Sequence, residues 1–75
     1  MTRLPSISSS YLIRKLKKAG FVFKRQGKGS HEFWINPETK RVVMVSRHSS
    51  STIPKGTLKA IIENMGISVG DFVEL

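Results

Sequence analysis

The chain of 75 residues has no cysteine. Disulfide staples and cysteine-based zinc sites are therefore excluded, and the composition suits a reducing cytoplasm, where we expect the protein to act. Acidic residues are also scarce: 5 Asp+Glu stand against 13 Lys+Arg, giving a formal net charge of +8. None precedes Glu32, whereas Arg3, Arg14, Lys15, Lys17, Lys18, Lys24, Arg25 and Lys28 all do. Glu32, Glu38, Glu63, Asp71 and Glu74 are too scattered to form a ligand set, so no metal and no cofactor are expected. No apolar run is long enough to span a bilayer, and no signal-peptide core is visible. A basic, acid-free N-terminus is also a feature of transit peptides, but its removal would take the first helix with it.

What the chain does have is a strong positive field in a small body. Its length fits one domain, residues 1–75. A domain of this size buries only about 60% of its unfolded surface, so its core is small and a bound partner would stabilise it. The excess of cations attracts polyanions, with RNA ranked first, DNA second and an anionic membrane a weak third.

The hydrophobic pattern predicts an α-β-β-β-α order. Ser8, Ser9 and Ser10 are available to cap a helix whose apolar stripe is Leu12, Ile13, Leu16 and Ala19, with Arg14, Lys15, Lys17 and Lys18 facing out. Gly20 is placed to end it. FVFKRQ (21–26), HEFWIN (31–36) and RVVMVS (41–46) read as strands. GKGS (27–30) and the Asn36-Pro37-Glu38-Thr39 turn join them as an antiparallel meander. After a polar loop, Leu58, Ile61, Ile62 and Met65 form a second helical stripe closed by Gly66. Ser68 starts a last short turn that returns Phe72 and Leu75 to the core.

All three strands carry apolar side chains on both faces. Two helices cover one face of a three-stranded sheet, so the other face should expose apolar surface suited to a partner. Strong twist, with the tail and loops folded over, is the competing reading.

One constellation carries chemistry. His31 follows Lys28, Gly29 and Ser30, with Arg25 close in sequence. Pairing of the second and third strands brings His31 to the same sheet end as Arg47 and His48. RNA provides a use for that set, because each phosphodiester has a neighbouring 2′-hydroxyl that can act as a nucleophile. A neutral imidazole accepts its proton near neutral pH, and cations stabilise the charge growing on the phosphate. Lysine is too basic for the task and serine too weakly basic. The plain reading of a lone histidine in a basic loop remains a surface residue. Lys55 and Lys59, one turn apart at a helix start, suit phosphate contacts, or simply an exposed helix end. Trp34 can stack a base, anchor a partner or pack in the core.

Several short segments in order resemble the HicA (YcfA-like) toxin family of HicAB toxin–antitoxin systems. They are Gly20-Phe21, Arg25-Gln26, Gly29-Ser30-His31 and its apolar followers, Asn36-Pro37, the VVMV strand, Arg47-His48, Lys55-Gly56-Thr57-Leu58 and Met65-Gly66-Ile67-Ser68. The resemblance implies an α+β fold like that of a double-stranded RNA-binding domain, with two helices on one face of a three-stranded antiparallel sheet. It implies a metal-independent mRNA interferase whose catalytic histidine matches His31, and inhibition by a HicB-type antitoxin. Arg25, Lys28, Gly29, Ser30, Arg47, His48, Lys55 and Lys59 are the candidate RNA-binding residues. Ser46 stands where the family often has proline. A non-catalytic RNA-binding module of the same fold is the main alternative; a small DNA-binding or ribosome-associated protein is a third.

Overall fold

A computed structural model describes residues 4–47 and 52–75. Its elements are α1 (Ser9–Lys18), β1 (Val22–Gln26), β2 (His31–Ile35), β3 (Val42–Ser46), α2 (Lys55–Met65) and α3 (Val69–Glu74). The strands form an antiparallel sheet in the order β1-β2-β3, as the meander predicts. The architecture is α+β, consistent with a double-stranded RNA-binding-domain-like arrangement, with the terminal turn completed as the short helix α3.

Local chemistry accounts for the boundaries. The Ser8 hydroxyl accepts a hydrogen bond from the Tyr11 amide at 3.2 Å and opens α1. At its other end Gly20 takes φ +94°, the Gly20 amide donates to the Lys17 carbonyl and the Phe21 amide to that of Leu16. This paired closure uses the left-handed conformation that glycine adopts without steric cost. In the β2–β3 turn, the Asn36 side-chain oxygen accepts from the amides of Glu38 and Thr39. Ser68 caps α3 through the Asp71 amide at 3.0 Å.

The core lies between the helices and one sheet face. Trp34, Val43 and Val45 point into it from the sheet, and Leu12, Ile13, Leu16, Leu58, Ile61, Ile62, Met65 and Phe72 from the helices. Near the chain start, the Ile53 amide donates to the Ile7 carbonyl at 2.9 Å, tying residues 7–8 to the segment before α2. No helix among the described residues is long and apolar enough to cross a membrane.

One expectation needs correction. Lys15 does not face solvent: it is 5% exposed, and its Nζ donates to the backbone oxygens of Phe72, Val73 and Leu75 at 3.0, 3.2 and 3.1 Å. It also lies 5.4 Å from the Tyr11 ring centroid and 5.1 Å from that of Phe72. An ammonium placed against the C-terminal carbonyls of α3 satisfies acceptors that a helix end leaves open. The polarity of Lys15 hid this, because its partners lie 57 to 60 residues away. The strand containing Phe23 is one edge of the sheet. Every residue of β1 is exposed, and the Phe23 ring meets buried Trp34 edge-on at 5.8 Å.

Candidate functional site

His31 is the first residue of β2, opposite Ser46 of β3. Along β2 burial alternates, with Glu32 and Trp34 buried and His31, Phe33 and Ile35 partly exposed. His31 therefore lies on the face away from the helices. That face also carries half-exposed Val22, Val42 and Met44, the unpartnered apolar surface expected from the strand composition.

A bulge brings Arg25 to the same face. β1 and β2 are in simple register at Val22–Ile35 and Phe23–Trp34, and then the register shifts so that Arg25 pairs with Phe33. Without the extra residue, Lys24 would stand opposite Phe33 and Arg25 would turn toward the core side. Bulges re-aim side chains in this way. The Arg25 guanidinium carbon sits 4.1 Å from the centroid of the Phe33 ring, on the face that also carries His31. This cation–π contact holds a positive charge against a flat apolar surface.

The loop before His31 is closely tied. The Gly27 amide donates to the His31 carbonyl at 2.8 Å, and the His31 amide donates to the Lys28 carbonyl at 3.0 Å. Gln26 Nε2 donates to the carbonyls of Gly29 at 3.0 Å and His31 at 2.9 Å. Gly29 has φ +59° and open space around its Cα, while a Cβ on Gly27 would lie 2.8 Å from the Phe33 ring. Lys28 is exposed at the loop tip, and Ser30 adjoins His31 with its side partly open.

Arg47 comes to this sheet end by backbone pairing, its amide donating to the Ser30 carbonyl at 2.9 Å. Its guanidinium, however, turns to Glu32, with Nη1 3.2 Å from Oε2. Glu32 is buried on the core side and also accepts from Trp34 Nε1 at 3.2 Å. Trp34 is thus a core residue, with Lys17 Nζ 6.0 Å from its ring. Arg47 keeps 49% of its side-chain surface exposed, so it remains open to an anion while tethered.

The structure thus gathers His31, Arg25, Lys28, Gly29 and Ser30 at one loop and sheet end, with Arg47 adjoining. Lys55 and Lys59 are exposed on α2, whose Leu58, Ile61 and Ile62 pack with Val43 and Val45. They belong to the helical layer, on the other side of the sheet from His31. His48 lies outside the described residues. Among the described residues no group of three His, Cys, Asp or Glu side chains could hold a metal ion.

Three contributors were not singled out from sequence. Gln26 and Glu32 organise the loop and the Arg47 tether, and Phe33 supports Arg25. A glutamine immediately before Gly-Lys-Gly was the one available signal, since a side-chain amide can bond the carbonyls of a tight loop.

No curated protein matches the chain significantly. A family description does match, that of the HicA toxin of bacterial toxin–antitoxin systems, over residues 9–67. The matched segment runs from the start of α1 to just beyond α2 and includes the whole sheet with His31. It covers well over half of the chain, which therefore belongs to the HicA toxin family, whose role as a toxin implies an antitoxin partner.

Proposed function

We propose that this toxin is a metal-independent endoribonuclease that cleaves mRNA in the cytoplasm, with His31 as its catalytic residue. The observation that carries the reading is the placement of a partly exposed His31 on the open sheet face, at the mouth of a glycine loop, with Arg25 on the same face over Phe33. His31 accepts the proton of an RNA 2′-hydroxyl. The freed oxygen attacks the adjacent phosphorus, the bond to the 5′-oxygen breaks, and that oxygen leaves with the proton that the His31 imidazolium gives up, which restores the neutral imidazole. Histidine suits both proton movements near neutral pH. Arg25, Lys28 and Arg47 stabilise charge on the phosphoryl oxygens, and Gly29 and Ser30 let the backbone approach the strand. Lys55 and Lys59, exposed on α2, hold RNA that continues beyond the sheet, and His48 is a further RNA-binding residue.

One proton-transfer group contributes typically about 10²–10⁴-fold, so a slow enzyme is expected. A HicB-type antitoxin is the proposed inhibitor, and the apolar side chains flanking His31 suit its cover. The test is cleavage of RNA in EDTA by the native protein and by His31→Ala, each first shown folded and able to bind RNA. Cleavage by the native protein alone supports the proposal. Cleavage by both assigns the activity to another group. Binding without cleavage by either favours the non-catalytic module.

A further inference from the structure

We propose that Gln26 is a positioning residue for His31, acting by stapling the loop from which the imidazole projects; the inference rests on the reading of His31 as the proton-transfer group. Gln26 ends β1 and His31 begins β2, so the two flank the loop 27–30. The glutamine side chain spans this gap, with Nε2 3.0 Å from the Gly29 carbonyl and 2.9 Å from that of His31. Both partners are acceptors. The amide must therefore present its NH2 group, because the opposite orientation would set its oxygen against two carbonyl oxygens.

The residues around it show why a staple is needed. Gly29 has no atom within 4 Å of a notional Cβ and takes φ +59°, so packing does not hold the loop tip. A glycine there also has the widest choice of backbone conformations. Gly27 is the opposite case: a Cβ there would stand 2.8 Å from the Phe33 ring and 3.2 Å from the His31 Cβ, so neighbours close in on that end of the loop. The loop thus has one seated end and one free end, and Gln26 ties the free end to the seated one. The His31 carbonyl receives two donors, the Gly27 amide and Gln26 Nε2, which fixes the peptide plane that follows the imidazole-bearing carbon. Catalysis is sensitive to such placement, since a misplacement of about 1 Å can cost about 100-fold.

The test uses Gln26→Ala and Gln26→Glu in the full chain. The glutamate is isosteric but, when ionised, cannot donate to either carbonyl. Amide hydrogen exchange at Gly27 and His31 should accelerate about tenfold or more in both variants, while core amides and the melting temperature stay unchanged. Single-turnover RNA cleavage should slow roughly 10- to 100-fold, with KM within about twofold of native. Unchanged exchange at both amides overturns the proposal, as does a rise in KM with native kcat, which would make Gln26 an RNA contact. A fall in core protection would reduce it to a stability residue and also overturns it. If the native protein cuts no RNA, the functional reading fails and His31 has no proton transfer to position; exchange then still decides whether Gln26 fixes the loop.

Discussion

Lys15→Met removes an ammonium and keeps most of the apolar volume of its side chain. In the native protein that ammonium is buried and donates to three backbone oxygens, of Phe72, Val73 and Leu75, at 3.0 to 3.2 Å. A hydrogen bond to a charged group contributes about 1.5–3 kcal/mol net. The three values cannot be summed, because all share one ammonium whose dehydration opposes them. The two ring contacts, at 5.1 and 5.4 Å, act in the same direction. After substitution the carbonyls at the end of α3 must find water, which loosens the seat of Phe72. A net loss of about 2–3 kcal/mol follows. For a domain of this size each kcal/mol lowers the melting temperature by about 4–8 °C, so a drop of about 10–20 °C is expected. Lys17→Met, at an exposed position on the same helix, should change stability by no more than about 0.5 kcal/mol. Thermal and urea unfolding of both variants provide the measurement. A Lys15→Met protein within about 0.5 kcal/mol of native would show that the three bonds merely replace water and that the account of α3 is wrong.

Other consequences are open to direct measurement. Gly27→Ala places a methyl against Phe33 and should cost about 1–3 kcal/mol by overpacking, read by urea unfolding, and should slow RNA cleavage; Gly29→Ala meets no neighbour and should cost only the left-handed backbone penalty of about 1–2 kcal/mol. Glu32→Gln releases Arg47 while leaving Trp34 an acceptor; RNA affinity should tighten at low salt and converge on native at high salt, and unchanged affinity would count against Arg47 as a phosphate contact. Lys28→Ala should reduce the slope of log affinity against log salt by about 0.7 for single-stranded RNA, and an unaltered slope would remove it from the interface. Met44→Lys, on the open face, should weaken antitoxin binding by tenfold or more with little change in unfolding free energy, measured by titration of the purified pair.

Much of the fold was legible in local chemistry. The serine cap, the Gly20 stop and the Asn36 turn depend on neighbours within a few residues, so their sequence signals are direct. The doubled apolar face of the sheet was legible for the same reason, since strand alternation needs no knowledge of distant contacts. Lys15 was misread because a helical stripe scores polarity, and its burial depends on carbonyls from the other end of the chain. The candidate site was legible in part. Pairing β2 with β3 places His31 opposite Ser46, as hairpin geometry requires. The bulge between Phe23 and Arg25 was not legible, because alternation assumes an unbroken register, yet it sets which face carries Arg25. The turn of Arg47 toward Glu32 was equally hidden, as two charges of unknown depth give no orientation.

The central claim is that His31 moves a proton for attack by the 2′-hydroxyl. Its most direct test offers the native protein, in EDTA, a short RNA and the same oligonucleotide with 2′-deoxy residues at the cleaved positions, and identifies the new ends by mass spectrometry. The account predicts cleavage of the RNA alone, with a 2′,3′-cyclic phosphate or its hydrolysis product on one fragment and a 5′-hydroxyl on the other, and no such products from His31→Ala. Cleavage of the deoxy-substituted strand at the same bond, or a 5′-phosphate product, would contradict it.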